Sequence, residues 1–106
     1  MFDAYEISLE LLRTLRPQLK RLRSCDPSLT KQLTRAATSV PLNLSEGRQR
    51  IGGDRVHLFR IAAGSVAEVK ACLDTAEALG YLQAADILAS MPLIGRLQAM
   101  CWRLTH

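Results

Sequence analysis

Residues 3–23 read DAYEISLELLRTLRPQLKRLR, and leucine returns in this stretch every three or four positions. The recurring leucines are Leu9, Leu12, Leu15, Leu19 and Leu22. This spacing places them on one stripe of an α-helix, so we predict a first helix over Asp3–Arg23. Acidic residues near its start and basic residues near its end complement the helix dipole. Pro17 has no amide hydrogen, and we expect it to kink the helix.

The second predicted helix runs from Pro27 to Gly47. Asp26 and Pro27 form a helix start, because Asp caps free amides and Pro suits the first helical position. Apolar residues then continue at steps of three and four. We expect Pro41 to bend this helix without ending it.

The third predicted helix covers residues 55–79. A glycine pair within residues 48–54 predicts the preceding loop, with Asp54 as the helix cap. Apolar and small residues cover a wider arc of this helix than an ordinary surface helix shows, so we expect other helices to cover it on two sides. Residues 62–65 carry little side-chain bulk, and we expect another helix to approach closely there.

The fourth predicted helix begins near Ile87 and runs to the end of the chain. Gly80 stops the preceding helix, and Pro92 is a predicted kink. No segment of the sequence shows a pattern that predicts a β-strand. Four helices with short connections predict an all-α, antiparallel up-and-down four-helix bundle, with residues 1–106 as a single domain.

Composition narrows the class of protein. About half of the residues are apolar and 23% are charged, a globular balance. The net charge of +4 comes from the first half, where residues 1–55 hold ten Lys or Arg against six Asp or Glu. This excess favours an anionic partner. The acidic start of the chain, the absence of a long apolar run and the three scattered cysteines predict a cytoplasmic protein without a membrane span and with buried thiols.

Two segments carry a family resemblance. Residues 35–48 read RAATSVPLNLSEGR, and residues 59–68 read FRIAAGSVAE. Their motif residues are Ser39, Pro41, Asn43, Glu46, Gly47, Gly64, Ser65 and Glu68. In this order and at this separation, the chain resembles the bacterial four-helix-bundle proteins associated with intervening sequences of 23S ribosomal RNA. A related branch comprises the accessory proteins of diversity-generating retroelements.

The resemblance implies a bundle that assembles as a homopentameric ring. It implies function less directly, since family members are encoded within ribosomal RNA intervening sequences or accompany reverse transcriptases. The loop at 51–57 departs from the serine-rich loop of the family. Any function that this loop has in other family members is therefore the property that applies least to this chain.

Two basic groups are candidate nucleic-acid-binding sites. The first is a stripe beside the leucines of the first helix, formed by Arg13, Arg16, Lys20 and Arg23. The second surrounds the glycine pair and consists of Arg48, Arg50 and Arg55. Guanidinium and ammonium groups of this kind bind phosphates. A solvated helix face and salt bridges between subunits are the alternatives for the stripe.

No catalytic centre is predicted. Asn43 and Glu46 are interpreted as architecture that satisfies groups freed by Pro41 or fixes the following loop. A single Asp54-x-x-His57 falls short of the two Glu-x-x-His motifs of a di-iron site, so neither a metal nor a cofactor is expected.

Two functions remain open. The first is a non-enzymatic oligomeric module that contacts structured RNA or another nucleic acid through its basic surface. The second is a structural or protein-interaction ring that docks a partner protein, such as a reverse transcriptase, without touching nucleic acid.

Overall fold

The computed structural model describes residues 2–106, which form five helices and no strand. The helices are α1 (Asp3–Cys25), α2 (Pro27–Arg48), α3 (Gly52–Ala78), α4 (Ala84–Ile87) and α5 (Ser90–Thr105). The all-α class predicted from the sequence is confirmed. None of these helices combines the length and apolarity needed to cross a membrane.

A single residue joins α1 to α2. The Asp26 amide donates to the Leu22 carbonyl at 2.8 Å, and the Asp26 carboxylate accepts the Leu29 amide at 2.9 Å. Asp26 therefore ends one helix and caps the next, with Pro27 in the first position of α2. The predicted start of this helix is confirmed, and both α1 and α2 continue past their internal prolines, Pro17 and Pro41.

The predicted cap at Asp54 is wrong. Helix α3 begins at Gly52, three residues before its predicted start, so the glycine pair predicted in the loop forms its first two residues. Ile51 precedes the helix without any side-chain cap. Gly52 has a φ of +60°, which lets the chain turn directly into the helix. Asp54 lies in the first turn, where its negative charge suits the positive end of the helix dipole.

The turn after α3 follows the predicted glycine stop. Gly80 has a φ of +79°, and its amide donates to the Glu77 carbonyl at 3.0 Å. The Tyr81 amide donates to the Ala76 carbonyl at 2.9 Å. These two bonds form a Schellman motif, which ends the helix by pairing its free carbonyls.

The region predicted as a fourth helix forms two helices, the short α4 and the longer α5. The predicted number of helices, four, is therefore one too few. Asp86 caps the start of α4 by accepting the Gln83 backbone amide at 2.7 Å, and α5 starts separately at Ser90. Pro92 lies in the first turn of α5, where no intrahelical partner is lost. It therefore does not kink a longer helix as predicted.

The four long helices pack in a cycle, α1 on α2, α2 on α3, α3 on α5 and α5 on α1. Their short connections make chain neighbours antiparallel, a packing pattern typical of a four-helix bundle. Helix α3 is covered by α2 and α5, as predicted. The most deeply buried α1 positions are Ala4, Ser8, Leu11, Leu15, Gln18 and Leu22.

The predicted leucine stripe lies at the edge of this buried face. Leu15 and Leu22 are fully buried, whereas Leu9, Leu12 and Leu19 are half-buried. The predicted stripe is displaced around the helix from the observed buried face because the prediction used the leucines alone. Ala4, Ser8 and Gln18 are also part of the buried face. The edge leucines remain available on the surface between α1 and α2.

The cysteines divide into two kinds. Cys72 and Cys101 are buried and free, as predicted, whereas Cys25 is exposed at the end of α1. The expectation of a buried thiol is therefore wrong for Cys25. It is the last residue of α1, directly before the Asp26 turn.

Candidate nucleic-acid interface

The predicted stripe on α1 is exposed along its whole length. Arg13, Arg16 and Lys20 line one shallow concavity together with Pro17, and Arg23 follows a turn later. Arg13 pairs with Glu10 at 3.1 Å, an ion pair in which both side chains are more than half exposed. Such a pair is worth at most about 1 kcal/mol, so it does not prevent Arg13 from binding another anion.

Helix α2 adds two exposed basic residues, Lys31 and Arg35, that were not predicted as part of a site. They line another shallow concavity with Ser28 and Gln32. Leu12 of α1 and Thr38 of α2 line one groove. One helical turn further toward Asp26, the same helix faces carry Arg16 on α1 and Arg35 on α2.

We call the resulting surface the basic end; it consists of Arg16, Lys20, Arg23, Lys31 and Arg35. None of the five has a carboxylate within 4.0 Å among residues 2–106. The five positive charges therefore remain available on one end of the α1–α2 pair. The surface contains no aromatic side chain, so it offers no platform for base stacking.

The three loop arginines are already engaged within the chain. Arg48 lies over the Phe2 ring, 5.4 Å from its centroid, and Arg50 pairs with Glu46 at 3.1 Å. The Arg55 guanidinium donates to the carbonyls of Gly47 at 3.3 Å and Arg48 at 3.1 Å. The Arg55 bonds satisfy carbonyls at the end of α2, which gives Arg55 a structural role. The Arg50–Glu46 pair is exposed like the Arg13–Glu10 pair, so it does not prevent Arg50 from binding another anion.

The structure does not bring the two predicted basic groups together. The stripe approaches the α1–α2 turn, whereas the loop arginines follow the opposite end of α2. Helix α2 has 22 residues and is therefore about 33 Å long at about 1.5 Å per residue. A single phosphate cannot contact both groups in one copy of the chain.

The motif residues of α2 and α3 form a small polar network. The Ser65 hydroxyl donates to the Ser39 hydroxyl at 2.8 Å, and the Asn43 amide donates to the Ser39 hydroxyl at 2.9 Å and to its carbonyl at 2.8 Å. The carbonyl deprived of a donor by Pro41 is that of Ala37, four residues back. Asn43 therefore does not satisfy the carbonyl freed by Pro41; it bonds Ser39 within α2, and the Ser65–Ser39 bond links α2 to α3.

The remaining motif residues also have structural surroundings. Gly47 is buried against Phe59 and Leu58, so it is the small residue that allows α3 to approach α2. The space around Gly64 is open, and the expected close approach of another helix is absent there within the described chain. Glu68 is half-buried, and its charge adds to the burial that raises the pKa of the Cys72 thiol.

The histidines and carboxylates do not assemble into a metal site in the described part of the chain, where no three His, Cys, Asp or Glu residues are grouped for coordination. His57 is exposed in a shallow depression with Glu46 and Asp54. His106 stacks on Trp102 with ring centroids 4.4 Å apart.

Comparison with known proteins identifies the family. Residues 2–103 match the family described as 23S rRNA-intervening sequence protein. The chain belongs to this family. The match covers both motif segments and all five helices except the last two residues of α5, and it confirms the resemblance found in the sequence.

A solved structure shares the fold. It is a protein of unknown function from the S23 ribosomal protein family of Bacteroides thetaiotaomicron VPI-5482, with a TM-score of 0.84 and 19% identity. The alignment covers 96% of this chain and 97% of that chain. At this identity the similarity establishes the fold and nothing about binding. No curated protein matches the chain.

Proposed function

We propose that the protein is a non-enzymatic, oligomeric binding module that contacts the phosphate backbone of structured RNA through its basic end. The observation that carries the proposal is the five unpaired basic side chains on two adjacent helices. A family associated with ribosomal RNA intervening sequences makes RNA the first nucleic acid to test.

The chemistry of the basic end favours backbone contact over base recognition. Lys and Arg side chains bind phosphates irrespective of sequence, and each contact releases counterions. The lack of aromatic residues in this surface disfavours single strands, whose bases stack on aromatic rings. We therefore expect preference for double-stranded or folded RNA and little preference for sequence.

Self-association strengthens this proposal. Several copies of a modest phosphate-binding surface give a much tighter complex than one copy, because each later contact is intramolecular. The resemblance implies a homopentameric ring. Tighter binding requires only that more than one basic end face the same RNA.

The test is a binding titration of the purified protein with a folded RNA, a DNA duplex and a single strand, at low and near-physiological salt. We expect the folded RNA to bind best and its affinity to fall steeply with salt. The double variant Lys20→Glu, Lys31→Glu should weaken binding and lower the salt slope by about two, roughly one for each lost phosphate contact.

A matched control changes the same charge elsewhere. Arg96 and Arg103 are exposed on α5, and the variant Arg96→Glu, Arg103→Glu alters the net charge equally. It should retain binding to the folded RNA. Equal loss in both variants would show that net charge, and not the basic end, determines affinity. Absence of binding to all three nucleic acids at low salt would refute the proposal and favour the ring that docks a partner protein.

A further inference from the structure

The outer face of α3 has a stretch of small and apolar residues, with the exposed charged residues Arg60, Lys70, Asp74 and Glu77 around it. At helical spacing it presents Gly64, Ala67, Ala71 and Ala78, all exposed, with Ile61 beside them at 39% exposure. We call these five residues the small-residue face. A Cβ added at Gly64 would meet nothing within 4 Å, so no part of the described chain covers this position. The face is therefore open to a close approach.

An apolar groove lies on the surface between α1 and α2. It is lined by Tyr5, Leu9, Leu12, Pro41 and Leu42, with Thr38 and Ser45 at its edges. Leu42 is 67% exposed, and Leu9 and Leu12 are half-buried. We call this surface the α1–α2 groove. Leucines that line an open groove in this way gain free energy when a partner covers them.

The groove and the small-residue face carry complementary charges at matching positions. On α1, Arg16 comes seven residues after Leu9, and on α2 Arg35 comes one helical turn beyond Thr38 of the groove, toward Asp26. On α3, Asp74 comes seven residues after Ala67. At about 1.5 Å per residue both steps are about 10 Å. When α3 lies parallel to α1 with Ala67 at Leu9, Asp74 therefore reaches Arg16 and Arg35.

Asp74 is able to make this contact. One oxygen of its carboxylate accepts Lys70 at 2.8 Å, and both side chains of that pair are about half exposed. A pair of this kind contributes little to stability. The other carboxylate oxygen remains available, and a carboxylate can accept from more than one cationic donor.

We propose that α3 of one copy lies in the α1–α2 groove of a second copy, with its small-residue face on the leucines and Asp74 at Arg16 and Arg35. The inference rests on the self-association in the proposed function and names its surfaces. Because the two surfaces differ, the contact is head-to-tail, and it produces a ring if the rotation between copies closes. Lys20, Arg23 and Lys31 remain beside the contact for phosphates.

Two single substitutions test the two surfaces separately. Ala67→Arg places a long cation on the small-residue face, and Leu42→Arg places one in the groove. Both positions are exposed, so the folded chain can accommodate either side chain. Light scattering should show the unmodified protein as an oligomer at micromolar concentration and each variant as a monomer with unchanged helical content by circular dichroism.

Mixing the variants gives the sharper test. The Ala67→Arg chain keeps its groove and the Leu42→Arg chain keeps its small-residue face, so a 1:1 mixture should form a heterodimer with a single intact contact. The control Ala99→Arg, on the exposed side of α5, should remain oligomeric. Monomeric unmodified protein, oligomeric variants, or a mixture that stays monomeric would each overturn the inference.

This test and the titration fail independently. The oligomeric state is measured without nucleic acid, whereas binding is measured through the basic end. An oligomer that binds no RNA would refute the proposed function and support the interface. A monomer that binds RNA would refute the interface and leave the phosphate contacts in place.

Discussion

Helices α2 and α3 approach each other at Gly47, which carries a hydrogen atom in place of a side chain. A Cβ built on Gly47 would lie 2.8 Å and 2.9 Å from two ring atoms of Phe59 and 3.2 Å from the Leu58 Cβ. Phe59 is 4% exposed, so its ring has little room to move. The glycine therefore sets the separation of the two helices.

We expect Gly47→Ala to lower the free energy of unfolding by about 1–3 kcal/mol, the usual cost of overpacking a core. Gly95→Ala is the matched control, because the space around Gly95 in α5 is open. It should raise stability by up to about 1 kcal/mol through helix propensity. Urea denaturation measures both changes. A Gly47→Ala protein as stable as the unmodified chain would contradict the contact.

At this scale the sequence identified the important glycine but not its role. The motif containing Gly47 was recognised, yet close helix approach was predicted at Gly64. Gly47 and Gly64 both lack a side chain. The sequence alone does not show which of the two glycines packs against another helix. The three loop arginines show the same limit, since their number predicted a phosphate site while their partners lie within the chain.

Between elements, the pairing of α2 with α3 includes one polar contact. Ser65 is 9% exposed, and its hydroxyl donates to Ser39, which also accepts from Asn43. Loss of Ser39 would leave the Ser65 hydroxyl without this partner. Loss of Ser65 would leave Ser39 still bonded to Asn43. The two serines therefore contribute unequally.

We expect Ser39→Ala to lower the free energy of unfolding by about 1–3 kcal/mol and Ser65→Ala to lower it less. Only Ser39→Ala leaves a buried hydroxyl, that of Ser65, without its hydrogen-bond partner. The double variant should cost less than the sum of the two single variants, which defines a coupling between α2 and α3. Thermal or urea unfolding of all four proteins measures it. Strictly additive losses would mean that the hydroxyls do not interact.

Helix boundaries were predictable where a local cap or stop determines them. Asp26 with Pro27 and the Gly80 turn are examples, since each depends on neighbouring residues alone. The start of α3 was missed because Ile51 offers no side-chain cap. The basic end was predicted only in part, at Arg16, Lys20 and Arg23. Lys31 and Arg35 join these residues because α2 packs beside α1. Residue spacing along one helix does not show that packing.

For the whole molecule, the surfaces divide between two tasks. The core is closed by α1, α2, α3 and α5, and the resemblance to the family already predicted that architecture. What remains outside is an apolar groove that becomes basic toward the α1–α2 turn. Its apolar part is the surface that we propose for a neighbouring copy, and its basic part is the surface that we propose for phosphates, so the two proposed contacts lie side by side on one pair of helices.

Whole-chain stability should depend on pH through the two buried thiols. Burial raises the pKa of Cys72, with the Glu68 charge as a second cause, and burial raises the pKa of Cys101. In the unfolded chain both thiols ionise near their ordinary pKa of about 8.5. Above that pH the folded state binds more protons than the unfolded state, so the free energy of unfolding falls as pH rises.

We therefore expect urea denaturation in a reducing buffer to show constant stability from this source below about pH 7.5 and a decline between about pH 8 and 9.5. The variant Cys72→Ala, Cys101→Ala is the control, since it differs from the unmodified chain only at the two buried thiols. It should be less stable at pH 7, because Ala fills less of the core, and its decline should be shallower. Equal slopes in the two proteins would show that the thiols ionise alike in the folded and unfolded chains, which their burial does not allow.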